Sequence, residues 1–215
     1  MLVKNWMNSD FVTIGEDDSM QEAIRLLKEH PVELLPVMDN KKLVGIITDR
    51  DLKKASASDA TSLDTHEMLY LISKIKLRDI MSKEPVTVHY EFTIEETAQL
   101  LMNRSISGAP GVDDDDRVIG IISKTELFKV LISLTGVEAK RGMQFAFKVE
   151  DRPGSIKDVA DIIRKHGGRM ESILSTHKDV TEGYRKVFIR MYDIDRGKIQ
   201  QLKDELRNSA DLLYC

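Results

Sequence analysis

The sequence predicts an α+β chain in which a β-α-β-β-α unit occurs twice and a βαββαβ unit follows. Three observations carry that prediction. Residues 6–52 align with residues 80–127 at an offset of 74, rising to 75, with twelve identities, and such self-similarity marks a repeated structural unit. Within each copy the apolar residues switch between strand alternation and the three-and-four spacing of helices. Residues 143–215 match neither copy and carry a strand and helix pattern of their own.

In the first copy, residues 12–14 read as a strand. Ser19-x-x-Glu22 reads as a capping box opening a helix whose Ile24 and Leu27 share one face. Strands at 34–38 and 43–47 are joined by the polar turn 39–42, and a second helix begins at Thr48. The second copy repeats the order: a strand at 86–88, the box Thr93-x-x-Glu96, and an apolar stripe of Ile94, Ala98 and Leu101. Strands at 109–112 and 118–122 follow, then a helix from Ser123. The identities include Met7/Met81, Val12-Thr13/Val86-Thr87, Glu22/Glu96, Pro36/Pro110 and Gly45/Gly120. The one-residue insertion falls in the acidic turn 113–116, where a hairpin tolerates it. One unit has a sheet face that it cannot cover alone, so the copies are expected to pack about a pseudo-twofold axis. Between them, residues 53–65 read as a polar loop and residues 66–75 as a helix, with Met68, Leu69, Leu71, Ile72 and Ile75 apolar.

The carboxyl-terminal pattern begins with a strand at 144–149 that runs into the turn Asp151-Arg-Pro-Gly154. Ser155-x-x-Asp158 can cap a helix with Ile156, Val159 and Ile163 on one face, and Gly167-Gly168 ends it. Strands at 169–176 and 185–192 flank a loop, a last helix aligns Ile199, Leu202 and Leu206, and residues 210–214 close as a strand. The order is ferredoxin-like. Residues 136–142 read as the linker before it.

The duplicated unit ends each time in one motif, Gly45-Ile-Ile-Thr48-Asp-Arg-Asp51 and Gly120-Ile-Ile-Ser123-Lys-Thr-Glu126. On these residues, 1–135 resembles a tandem pair of CBS domains, a Bateman module. The D-R-P-G turn and the glycine pair make 143–215 resemble an ACT domain. The expected domains are therefore 1–77, which includes the insertion, 78–135, and 143–215. The whole is similar to acetoin-utilisation-type CBS–ACT proteins of bacteria.

The CBS resemblance implies a bound adenine nucleotide: AMP, ADP or ATP, or the relatives S-adenosylmethionine and NAD. A carboxylate can accept from both hydroxyls of a ribose diol, which suits Asp51 and, less well, the longer Glu126. A helix amino terminus with a hydroxyl, Thr48 or Ser123, offers donors to phosphate, and Arg50, Lys53, Lys54 and Lys124 are near enough in sequence to balance its charge. By resemblance, the base lies against Val12 and Thr13, or Val86 and Thr87, and against the entry to a strand at 106–109 or 32–35. Ser107 and Gly108 are small there, whereas Glu33 and Leu34 are bulky, so two unequal sites are expected. A purely mechanical reading stands beside this one, in which hydroxyl and carboxylate only cap a helix. The ACT resemblance implies an amino-acid ligand at Asp151, Arg152, Pro153 and Gly154 between two such domains, hence a homodimer. Its mechanical counterpart is a tight turn held by Asp151.

Composition narrows the function classes. The chain is 41% hydrophobic with a net charge of −4, outside the range of disordered chains. No apolar run reaches the roughly 20 residues of a membrane span, and the opening MLVKNWMNSD lacks a secretory pattern, so the expected location is the cytoplasm. Residues 143–215 carry a net +2 and the rest a net −6, without the basic surplus of a nucleic-acid binder. A single cysteine, Cys215, precludes an internal disulfide and a cysteine zinc site. The five histidines lack metal-ligand spacing, and the acidic run 113–116 lacks the glycine and distal glutamate of a calcium loop. Neither G-x-x-x-x-G-K-[ST] nor G-x-S-x-G occurs. The expectation is a non-catalytic regulatory protein with no metal and no catalytic cofactor, acting on a partner enzyme. A ligand-independent dimerisation or docking scaffold is the alternative.

Overall fold

In the computed structural model the described residues are 1–30, 32–59, 65–138 and 142–215, and the chain divides into two units, Met1–Phe128 and Lys129–Cys215. In the first unit, β1 (Ile14–Gly15) leads through α1 (Met20–Glu29) to β2 (Leu34–Asp39), which turns back antiparallel as β3 (Lys42–Thr48) and continues into α2 (Asp49–Asp59). The intervening α3 (Thr65–Lys74) and the short α4 (Leu77–Ile80) precede β4 (Ser82–Lys83). The second copy repeats the order as β5 (Val88–His89), α5 (Ile94–Asn103), β6 (Gly108–Val112), β7 (Val118–Ser123) and α6 (Lys124–Thr135). In both copies the first strand lies parallel to the second, Ile14 opposite Val37 and Val88 opposite Gly111. The extra residue sits in the β6–β7 turn, as the alignment requires, since Met38 pairs with Leu43 but Val112 with Val118.

The caps follow the sequence in detail. Thr93 and Glu96 form a full capping box on α5. Ser19 accepts from the Glu22 N–H at 3.2 Å, but the Glu22 carboxylate turns to Arg25 instead of returning to the cap. Other expectations are corrected. The leading strands begin later than expected, so Val12, Thr13, Val86 and Thr87 precede the paired residues; Val12 packs on the core of the first copy instead. Residues 53–59, expected as loop, extend α2, because Leu52 is buried and Ala55 packs on the same core, keeping a helical stripe going. The remainder of that expected loop, 60–64, lies outside the described residues. The helix expected at 66–75 is present as α3; its Ile72 and the following Ile75 join the core while Leu71 is exposed, and the Met68 and Leu69 side chains lie outside the described ones.

The two copies exchange their leading segments. Residues at the start of the chain, ahead of β1, bridge to the second copy, Leu2 to Thr93 and Asn8 to Ile121. Reciprocally, β4 ahead of the second copy pairs with β3 of the first, Ser82 opposite Ile46 and Lys83 opposite Gly45. Asn8 and Ser82 are repeat counterparts, as are Ile121 and Ile46, so the exchange obeys the duplication. Each leader seats a methionine on a glycine of the other copy. A Cβ at Gly45 would come within 2.5 Å of Met81 Sδ and 3.0 Å of the Ser82 carbonyl; at Gly120 it would meet Met7 Sδ at 2.7 Å and the Asn8 carbonyl at 3.0 Å.

In the second unit β8 (Met143–Glu150), α7 (Ser155–Lys165), β9 (Arg169–Thr176), β10 (Tyr184–Tyr192), α8 (Ile199–Ser209) and β11 (Asp211–Tyr214) form the expected βαββαβ order, with an antiparallel sheet ordered β11-β8-β10-β9. Phe145, Phe147, Val187 and Ile189 from the sheet meet Ile163 and Leu202 from the helices. One local expectation is corrected here. The residue capping α7 is Gly154 at φ +90°, not Ser155, which is buried as the first helical residue; the Asp158 carboxylate is drawn to Arg152 at 2.8 Å. α6 ends at Thr135 and β8 begins at Met143, so the expected linker 136–142 lies between them, with 139–141 outside the described residues, and the division between units falls within α6. Among the described residues no helix is long and apolar enough to cross a membrane, and no group of three or more His, Cys, Asp or Glu could hold a metal ion.

The methionine seats yield a test. Gly45→Val is expected to lower the unfolding free energy by about 1–3 kcal/mol, the cost of overpacking. In urea titrations the second substitution Met81→Ala is expected to recover part of that loss, which an effect of backbone freedom alone would not allow.

Candidate functional site

The end of β3 delivers the first site residues. Leu34 pairs with Thr48 at the last rung of the β2–β3 hairpin, and α2 starts at the next residue. Asp51, one turn in, reaches back: its Oδ2 accepts from the Thr48 N–H at 2.9 Å and from Thr48 Oγ1 at 2.6 Å. The mechanical capping role is thus real. It leaves Oδ1 turned elsewhere, where Ser82 Oγ of the exchanged strand approaches at 3.4 Å. Asp51 is half-buried, so this oxygen stays within reach of a ligand.

Thr48 and Asp51 line a cleft of about 1,100 Å³ whose opposite wall is the turn entering β6, with Ser105, Ile106, Ser107 and Gly108. Gly108 is buried against β7, where a Cβ would come within 3.0 Å of the Ile122 carbonyl and of Ser123 Cβ. Its lack of a side chain therefore serves the approach of two strands as well as the openness of the wall. Ile24, Leu27, Val32 and Ile46 supply apolar lining. Lys28, Arg50 and Lys124 also line the cleft, and none has an ion pair among the described residues. Lys53 and the carboxylates of Glu33 and Asp49 line it as well, Lys53 being held by Asp49 at 2.5 Å. An acceptor suited to hydroxyls, an apolar surface and three unpaired cations therefore meet in one concavity, the arrangement expected of a site for a small anionic ligand.

The corresponding corner of the second copy is built differently. Ser123 and Glu126 are both buried, with Ser123 Oγ 2.5 Å from Glu126 Oε2. Glu33 crosses from the first copy and closes over them: its Oε1 accepts from Thr125 Oγ1 and lies 3.2 Å from Ser123 Oγ. The structure thus brings Thr48, Asp51, Ser107 and Gly108 together and sets Ser123 and Glu126 apart from that cleft. Val12, Thr13, Val86 and Thr87 do not line it. The wall from α1 (Ile24, Leu27, Lys28) and the serines 82 and 105 are additions to the sequence reading. Ser82 was discoverable as the repeat counterpart of Asn8; the α1 residues show the same stripe whether they cover a sheet or line a cleft.

In the second unit, Asp151 lines neither the cleft of the first unit nor the polar cavity of its own. It binds His177 Nε2 at 3.0 Å and Arg185 at 2.6–2.8 Å, tying the turn after β8 to the β9–β10 hairpin. Pro153 and Gly154 shape the turn. Arg152 bonds to Glu150 and Asp158 and, with Ser155, Lys148, Tyr184 and Asp211, lines a separate polar cavity of about 420 Å³. Partial burial pushes the pKa of the Asp151 carboxyl up, but the His177 hydrogen bond and the Arg185 charge outweigh it and hold the group below its ordinary value. A depressed carboxyl contributes stability that is present above the unfolded pKa of about 3.9 and lost as pH falls through the folded value. Asp151→Asn is therefore expected to flatten the acid limb of the stability–pH curve below about pH 4, measured by thermal midpoints across pH, while an unchanged limb contradicts the tie.

Known proteins resemble the first unit in sequence and fold. The CBS domain model matches residues 3–58 and 77–133. A CBS domain-containing protein of Dictyostelium discoideum is 33% identical over 135 residues, covering 62% of this chain and 93% of its own length. Inosine-5'-monophosphate dehydrogenase of Methanocaldococcus jannaschii is 35% identical over 121 residues; the match covers 56% of this chain but only 21% of that enzyme. Among solved structures, the CBS domain pair of protein MJ0100 in complex with 5'-methylthioadenosine and S-adenosyl-L-methionine superposes with a TM-score of 0.53 at 30% identity, covering 61% of this chain and 99% of that one. CBSX2 of Arabidopsis thaliana in complex with AMP gives a TM-score of 0.50 at 28% identity, covering 61% and 96%.

Proposed function

This chain belongs to the CBS-domain family, and we propose that it is a non-catalytic regulator that binds an adenine nucleotide in the cleft between its two CBS copies. The observation that carries the reading is the convergence of Asp51, a ribose-diol acceptor, with the unpaired cations Lys28, Arg50 and Lys124 on one apolar-lined cleft. The cations favour a phosphorylated ligand, AMP, ADP or ATP, with NAD next. S-adenosylmethionine, found on the CBS pair of MJ0100, brings a positive sulfonium and no phosphate and ranks last. Two or three charge-assisted bonds of about 1.5–3 kcal/mol each, with a buried ring, suffice for the roughly −8 kcal/mol of micromolar binding.

The carboxyl-terminal unit is read as an ACT domain on its βαββαβ order and D-R-P-G turn. Lys148 and Arg152, with Asp158 and Asp211, line its polar cavity and suit the two charges of a free amino acid. The working form is read as a homodimer acting on a partner enzyme, with domain order alone pointing to acetoin or related carbon metabolism. Regulation requires that the ligand prefer one arrangement of the subunits. The scaffold alternative rests on α6, which exposes Phe128, Leu131 and Leu134 at three-residue spacing, an apolar stripe suited to docking.

Calorimetric titration and thermal shift with AMP, ADP, ATP, NAD, S-adenosylmethionine and free amino acids test the reading. AMP at 100 times its Kd is expected to add about 2.7 kcal/mol of native-state stability, a rise of several degrees. Asp51→Ala is expected to weaken AMP at least tenfold, measured well below its melting point because the lost cap itself costs about 1 kcal/mol. No shift with any nucleotide favours the scaffold, and turnover of a nucleotide favours an enzyme.

A further inference from the structure

We propose that Glu33 closes the second nucleotide position of the CBS pair, so that each chain carries one working site. The inference rests on the nucleotide reading of the first cleft and adds its stoichiometry and the residue that sets it. The repeat alignment places Glu33 opposite Ser107, and Ser123, Thr125 and Glu126 opposite Thr48, Arg50 and Asp51. In the first position Ser107, Thr48, Arg50 and Asp51 all line the open cleft. In the second position the longer Glu33 spans the same gap, its Oε1 accepting from Thr125 Oγ1 and lying 3.2 Å from Ser123 Oγ. Those hydroxyls stand at the amino terminus of α6, where a phosphate would otherwise accept. The carboxylate therefore already sits where the ligand's own anion belongs.

Charge points the same way. The first position offers Arg50 where the second has Thr125, and Ser107 where the second has Glu33. Exchanging a cation for a hydroxyl, and a hydroxyl for a carboxylate, turns an anion-attracting corner into an anion-repelling one. Glu126 adds a second carboxylate, buried and turned onto Ser123 through the 2.5 Å contact, so its oxygen is taken up within the chain. Lys124 at the start of α6 lines the first cleft, and so does Glu33, but the Glu33 carboxylate is turned onto Thr125 and Ser123 of the second position. Duplication thus supplied two equivalent corners, and substitution at 33 and 125 left one of them for the ligand.

Calorimetric titration of the full chain with AMP tests this using wild type, Glu33→Ser, which copies the residue at the repeat counterpart, and Glu33→Gln, which keeps the length without the charge. Glu33 is exposed, so these variants are expected to melt cooperatively near the wild-type temperature. Wild type is expected to bind one AMP per chain and Glu33→Ser two, the added event at least tenfold stronger than any second event in wild type. Glu33→Gln is expected to fall between them. Combining Glu33→Ser with Asp51→Ala is expected to weaken the original event and keep the new one. Two equal events in wild type, or a single event in Glu33→Ser, overturn the inference while leaving the nucleotide reading standing. No binding to any of these proteins removes the nucleotide reading itself and the inference with it.

Discussion

The seating of Met7 on Gly120 and of Met81 on Gly45 is the contact on which the first unit depends. Each sulfur occupies the space where a Cβ would stand, within 2.5–2.7 Å of that position. The leader of one copy can therefore lie flat on the closing strand of the other. Short strand pairing follows, Ser82 on Ile46 and Asn8 on Ile121, and each sheet gains an edge that its own copy cannot provide. With β3 and β7 held in this way, the helices that follow them begin at fixed places, and Ser82 is carried to Asp51. A structural exchange thus also assembles the functional cleft.

The pseudo-symmetry governs the scaffold and stops at the chemistry. Backbone pairings, glycine–methionine seats and amino-terminal capping recur in both halves because packing demands them of each. The residues that face the space between the halves are released from that demand, and there the copies part: Asp51 against Glu126, Arg50 against Thr125, Ser107 against Glu33. The capping bonds of Asp51 to Thr48 and of Glu126 to Ser123 show why the motif persists in a closed position as well as an open one. A hydroxyl and a carboxylate three residues apart stabilise a helix start regardless of ligand.

Much of this was legible in the residues. The duplication located Thr48 and Asp51 and paired Gly45 with Gly120 and Met7 with Met81, although the seating of methionine on glycine became visible only in three dimensions. In the second unit alternation at 144–149 and helical spacing at 156–163 sufficed for the element order, because each element has one buried face. Less was legible where a residue's direction matters more than its type. Glu33 was recognisable as bulky and acidic, but not as reaching the opposite copy. Asp151 stood in a motif suggestive of a ligand, yet its partners His177 and Arg185, 26 and 34 residues away, make it a brace. The end of α2 was missed because serines alternate with alanines at 55–58 and serine favours turns and caps, until Leu52 and Ala55 find a core.

The most direct test of the central claim is a crystal structure of the chain grown with AMP. The account predicts the ribose hydroxyls on Asp51, the phosphate among Lys28, Arg50 and Lys124, and the base beside Ile106 and Ser107, with Glu33 still on Thr125. AMP found against Ser123 and Glu126 while the cleft of Asp51 stands empty, or bound on the carboxyl-terminal unit alone, contradicts it.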